Sequence, residues 1–185
     1  MTNTFRKGGI VASILLIALG IGALIIGVSG RETVRSDLAR EQIVGTPDSA
    51  IPGQKVDTGA EAKEFAATVR KHTIEATGGQ TFSQMGRFLD DSGKATSDEK
   101  AAAIDEKSGQ PVANPARDIW ISSTAFQTAL NTAYFAESVA LFVIVMGAAM
   151  LLIGIGFLVL TLRLLTPAAA PERTARTGSP AVVTG

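Results

Sequence analysis

GGIVASILLIALGIGALIIGVSG, residues 8–30, is a run of 23 residues without a charged side chain, and its reading decides the fold. As a helix it reaches about 35 Å, which exceeds the roughly 30 Å of a bilayer's hydrocarbon core. A core helix of a soluble domain keeps a polar stripe for water, and this run has none. SVALFVIVMGAAMLLIGIGFLVLTL, residues 138–162, repeats the pattern over 25 residues. The expected architecture is therefore an all-α membrane protein: an antiparallel two-helix transmembrane hairpin with an extended stalk and a small, mostly helical extracytoplasmic domain.

The 107 residues between the runs, 31–137, hold 12 basic and 16 acidic side chains. The ends carry Arg6, Lys7, Arg163, Arg173 and Arg176 against Glu172 alone. Basic residues flanking a span stay on the cytoplasmic side. The expected layout is a cytoplasmic N-terminus at 1–7, a first span at 8–30 and an extracytoplasmic domain at 31–137. A second span at 138–162 and a disordered cytoplasmic tail at 163–185 complete it, at the plasma membrane. Arg31, Arg35 and Arg40 lie on the opposite side of the first span from the rule's preference, but a long loop translocates largely regardless of charge. A cleaved signal peptide is the alternative reading of 8–30. The run, however, is far longer than the 7–15 apolar residues such peptides carry.

Span one is expected to run on as a helix through 31–44 until Gly45-Thr46-Pro47 breaks it. Thr58-Gly59-Ala60-Glu61 fits a capping box and opens a helix whose apolar face reads Ala62, Phe65, Val69, His72 and Ala76. Gly78-Gly79 ends it. A second capping box, Thr81-Phe82-Ser83-Gln84, predicts a shorter helix with Met85, Phe88 and Leu89 as its face. Residues 97–103 suggest two helical turns, and 107–116 a loop. Asn114-Pro115 supplies a capping side chain and a proline at the first helical position, and nothing breaks the helix from there to Leu165.

Small residues recur every seven positions: Ser13, Gly20 and Gly27 in the first run, then Ala133, Ala140, Gly147, Gly154 and Thr161 in the second. A seven-residue repeat keeps one seam against a partner helix. Small side chains in lipid let two backbones approach. The seams continue through Leu24, Arg31, Val34 and Leu38, and back through Glu137, Leu130, Phe126, Ser123 and Ile119. Paired antiparallel, they bring Arg31 and Glu137 together at the outer interface as an ion pair. Homo-oligomerisation through the same seam is the alternative.

Catalytic constellations do not emerge. His72 is the single histidine and cysteine is absent, so no metal-ligand cluster is expected. His72 reads as a partly buried packing residue. Asp90-Asp91, Asp98-Glu99 and Asp105-Glu106 read as solvated charges, because acid–base work needs carboxylates held in a shaped pocket. Neither Gly-x-Ser-x-Gly nor a phosphate-binding loop occurs. A net acidic middle excludes a nucleic-acid surface. Both spans lack ionisable residues, which argues against an ion path. Trp120, about 17 residues before the apolar boundary and so roughly 25 Å out, is expected to anchor the stalk to the domain, with Tyr134 and Phe135 as the interfacial belt.

SGRETVRSDLAREQIVGTPD (29–48), GQKVDTGAEAKEFAATVRKHTIEATGGQTFSQMGRFL (53–89), NPARDIW (114–120) and TALNTAYFAESVALF (128–142) resemble an uncharacterised two-span membrane protein family of actinobacteria. Some of its members carry the name aromatic ring-opening dioxygenase, but one histidine does not supply an iron site. The resemblance implies a cell-membrane protein with no catalytic residues to carry over. The expected function is non-enzymatic: to bind or organise another envelope component, with the lipid bilayer and a membrane or envelope protein as partners, no nucleic acid and no cofactor. A ligand or stress sensor is the first alternative, and an enzyme whose site is not readable from sequence the second.

Overall fold

The computed structural model describes residues 2–164, so the tail expected at 163–185 lies outside the described residues apart from its first two, which continue the last helix. Three helices dominate: α1 (Thr2–Arg40), α2 (Gly59–Ala76) and α3 (Pro115–Leu164). Between α2 and α3 lie two short strands, β1 (Phe88–Leu89) and β2 (Ala95–Thr96), and a single 3-10 turn, Glu99–Ala101. α1 and α3 are both long and apolar enough to cross a membrane. Only 11% of the most apolar stretch of each is buried within the chain, which sets them apart from the core helices of a soluble globule.

α1 begins at Thr2, so most of the segment expected as a separate N-terminus, 1–7, is helix. No glycine or proline lies in that segment, and arginine and lysine extend a helix readily. At its other end α1 stops at Arg40 instead of running to 44. Gln42 takes a left-handed conformation at φ 51°, and Val44 forms a bridge to Lys55. Gly45 is packed so closely on the Ile51 carbonyl that a β-carbon would collide with it. The loop thus folds back as an irregular hairpin, with the Gly45 N–H donating to Gln54 and the Val56 N–H to Ile43.

Thr58 caps α2, and Glu61 reciprocates by accepting the Asp57 and Thr58 N–H groups at 3.0 and 2.9 Å. Gly78 and Gly79, at φ 63° and 80°, end the helix. The buried face of α2 is turned from the expected one: Gly59, Ala62, Phe65, Ala66 and Thr73 are buried, while His72 and Ala76 are exposed. Thr73 donates its hydroxyl to the Val69 carbonyl at 2.6 Å. With the hydroxyl satisfied one turn back, threonine packs at a core position.

The helix expected at 81–89 does not form. Its capping contact exists, the Thr81 N–H donating to Gln84 Oε1 at 2.8 Å, but the turn goes no further. Gly86 sits against the Thr96 backbone, and Phe88 and Leu89 pair with Thr96 and Ala95. Leu89 also exchanges backbone bonds with Val112 and Ala103. Long-range backbone partners outcompete the local cap, so 81–113 is a strand-and-turn lobe, with strand at Phe88–Leu89 where the second helix was expected. The two turns expected at 97–103 shrink to Glu99–Ala101, and Ile104 just beyond them is 56% exposed.

α1 and α3 run antiparallel in close contact. A β-carbon added at Gly9 would meet Thr161, one at Gly20 would lie 2.8 Å from the Gly147 carbonyl oxygen, and one at Gly27 would lie 3.0 Å from that of Ala140. Ser13, Gly20 and Gly27 are the buried residues of the α1 apolar run, and Ala140, Gly147, Gly154 and Thr161 those of α3. Beyond the apolar runs Leu38, Ile51, Val56, Ala62, Phe65, Ala66 and Leu130 form one buried cluster, where α1, the 43–56 loop, α2 and α3 meet.

At Gly147 a β-carbon would fall 2.9 Å from both the Gly20 carbonyl oxygen and the Leu24 nitrogen, backbone atoms that cannot rotate aside, whereas Gly156 faces open space. Gly147→Leu is expected to cost about 1–3 kcal/mol, while Gly156→Leu stays within about 0.5 kcal/mol. Thermal unfolding in mild detergent checks this, and equal losses would contradict the contact.

Candidate functional site

Glu137 lies where α1, α2 and α3 meet. It is 8% exposed, at the last position before the apolar run 138–162. Its Oε1 accepts from Arg31 Nε at 2.9 Å and from Arg35 Nε at 2.7 Å; its Oε2 accepts from the Gly59 N–H at the start of α2. One carboxylate therefore joins all three helices. The Gly59 amide belongs to the first turn of α2, whose N–H groups have no partner inside their own helix and which carries the positive end of the helix dipole. A side chain at position 59 would strike Tyr134 and Glu137, so glycine is what permits this approach.

Arg31 and Glu137, the pair that the seams bring together, thus meet directly, but they share the site with two groups that sequence reasoning missed. Arg35 carried a signal, since it follows Arg31 by four residues and faces the same way on a helix. Gly59 carried none; its role depends on where α2 docks.

α2 lies antiparallel along the stalk part of α3 through a ladder of ring contacts. Arg70 stands 5.0 Å from the ring centre of Trp120, Phe65 meets Phe126 edge-on at 6.2 Å, and Lys63 stands 4.7 Å from the Tyr134 ring. Trp120 is half-buried and contacts α2. The strand-and-turn lobe is held by two neighbours instead. Arg117 stacks 3.8 Å over Phe82 and donates to the Met85 carbonyl at 3.0 Å. Asn114 accepts the Ala116 N–H as the cap of α3 and donates to the Gly86 carbonyl at 2.9 Å.

His72 lies on the solvent side of α2, a correction to the packing role expected of it. Its Nε2 is 2.7 Å from Asp48, and Lys71 Nζ is 3.1 Å from the same oxygen. Asp48 also accepts from the Thr46 hydroxyl at 2.8 Å. The hydrogen bond to His72, then those from Thr46 and Lys71, hold the Asp48 carboxyl well below its ordinary range. This cluster pins the 43–56 loop to α2. It gave no sequence signal, because Asp48 is 24 residues from His72. Among the described residues no three His, Asp or Glu side chains gather as a metal site.

On another face, α1 and the stalk of α3 leave a groove of about 490 Å³ uncovered. Its floor is apolar or small, including Val34, Leu38, Ala129 and Ala133, and its rim carries Asp37 and Glu41. Comparison with known protein families, curated proteins and solved structures finds no match for this chain.

Two outcomes follow from these contacts. Glu137→Gln leaves two arginines facing a neutral amide and is expected to cost about 2 kcal/mol in unfolding experiments, below the roughly 3–5 kcal/mol of a fully buried pair because both arginines can turn to water. The exchange of Arg31→Glu with Glu137→Arg restores little, since an arginine at 137 meets Arg35 and cannot accept the Gly59 N–H; full recovery would show that Arg31 is the only partner of consequence. For Asp48, a carboxyl depressed on folding contributes stability above its unfolded value of about 3.9 and loses it as pH falls further. The difference in melting temperature between the wild type and Asp48→Asn is therefore expected at pH 7 and shrinks progressively below pH of about 4. A difference that persists or grows in acid would contradict the latch.

Proposed function

We propose that this chain is a two-span plasma-membrane protein that binds, without catalysis, another component of the cell envelope. Residues 8–30 and 138–162 cross the bilayer as an antiparallel pair, both ends lie in the cytoplasm, and 31–137 stands outside. The length and lipid-like exposure of the two apolar helices support the membrane address. Arg6, Lys7 and Arg163 support the orientation. The resemblance carried by 29–48, 53–89, 114–120 and 128–142 implies the membrane address as well.

The observation that carries the binding reading is the groove between α1 and the stalk of α3. Its floor of small and aliphatic side chains lets a third helix approach closely. The rim carries Glu41 and Asp37, the latter paired with Arg40 at 3.1 Å. Among the described residues this leaves Glu41 as the unpaired rim charge, which favours a helix with a basic residue at its edge over a second copy of this chain, whose own Glu41 would repel it. The occupant is thus a helix of a membrane partner that extends beyond the bilayer with lysine or arginine beside its apolar face.

A sensor is the second reading, favoured by one fact: the groove volume falls within the roughly 300–1,000 Å³ of small-molecule sites. Such sites fix their ligand with convergent polar groups, whereas the polar residues here, Asp37, Glu41 and Thr132, are outnumbered by apolar and small ones.

A photo-crosslinking residue at Ala133 of the full chain, in native membranes, tests the docking reading. The expected result is one heterologous adduct that mass spectrometry identifies as a membrane protein with a basic-edged helix. Ala129→Trp, which fills the groove, abolishes it. An adduct at twice the mass of this chain, or none, would overturn the reading.

A further inference from the structure

We propose that the pocket flanked by Arg31 and Arg35 binds the phosphate group of an anionic ligand at the membrane surface. The pocket, about 250 Å³, is lined by both arginines and the Glu137 carboxylate that holds them, together with Thr58, Ala60, Tyr134, Ser138 and Leu141. It shares no lining residue with the groove.

The two guanidinium groups are held in one orientation. Each spends its Nε–H on Glu137 Oε1, at 2.9 and 2.7 Å. Among the described residues neither makes a further hydrogen bond through its terminal nitrogens, and each side chain is about one-third exposed, at 36% and 34%. Guanidinium groups offer planar forks of donors that match phosphate oxygens two at a time. Here the forks are fixed by a buried carboxylate before any ligand arrives, which lowers the ordering cost of binding. Glu137 offsets one of the two positive charges. Glu32 and Asp57 also act on Arg35, but neither lines the pocket.

The position is as telling as the chemistry. Arg31 directly follows the apolar run 8–30, and Ser138 opens the run 138–162. The pocket therefore straddles the boundary where lipid phosphates lie, with Leu141 one turn into the apolar segment to meet an acyl chain. A lipid headgroup and a free phosphate present the same oxygens, and the experiment separates them. The inference rests on the two-span reading and is independent of the docking one.

The test uses the full chain in neutral detergent with three probes: phosphatidylglycerol, phosphatidylcholine and inorganic phosphate. Native mass spectrometry is expected to show one phosphatidylglycerol retained in preference to phosphatidylcholine. Ala60→Glu sets a carboxylate at the pocket in the first turn of α2, where an acidic residue favours the helix, and leaves all three Glu137 contacts in place. It is expected to weaken phosphatidylglycerol binding about tenfold. Arg35→Lys, which keeps a charge toward Glu137 but loses the fork, weakens it as well and serves as a second variant should the first unfold. A melting temperature raised by inorganic phosphate over chloride at equal ionic strength, without lipid preference, assigns the site to free phosphate. Absence of any preference among the probes, or undiminished binding in both variants, would overturn the site. A failed crosslink at Ala133 beside an intact lipid preference would sink the docking reading alone.

Discussion

The way the three helices meet outside the apolar runs depends on where one buried carboxylate points. Glu137 takes Arg31 and Arg35 from α1 on one oxygen and the first amide of α2 on the other. Burying a charge is unfavourable unless it is paired and hydrogen-bonded. Three donors meet that condition, and together they set the geometry of three helices at one point. With α2 tied there, its remaining length lies down the stalk, Phe65 reaches Phe126 and Arg70 reaches Trp120. The 43–56 loop then has a surface to close over, with Ile51 and Val56 filling the cluster against Leu38 and Leu130.

Below that point a different physics holds α1 to α3. In the bilayer proposed for these runs, lipid is as apolar as leucine, so apolar side chains gain little from leaving it, and contact must come from close packing. Gly20, Gly27, Gly147 and Gly154 provide it by letting backbone approach backbone. The large residues of the same helices, such as Leu19, Ile26, Phe142 and Leu152, face outward. The buried and exposed sides are thus reversed in size relative to a water-soluble helix pair.

Much of this was legible where the cause is local or periodic. The seven-residue spacing of Ser13, Gly20 and Gly27 against Ala140, Gly147 and Gly154 pointed to the residues that are buried. The Thr58 and Asn114 caps needed only their own short neighbourhoods. Legibility ended where partners are distant in sequence. The 81–89 segment carries a true capping contact, but Leu89 takes backbone partners from 103 and 112 and becomes strand. The face of α2 was misphased because Thr73 looks polar until its hydroxyl is bonded one turn back. His72 looked like part of an apolar face because its partner, Asp48, lies in a loop that pattern alone does not place.

The most direct measurement of the Glu137 tie is hydrogen exchange of the α2 amides in the wild type and in Glu137→Gln, in detergent. If the carboxylate holds α2 to the helix pair, protection across Gly59–Ala76 falls about tenfold or more in the variant. The amides of 13–27 and 140–154, held by their own seam, keep theirs. Unchanged protection in α2, or a uniform loss along the whole chain, would contradict the claim that this one contact sets the position of the outer helix.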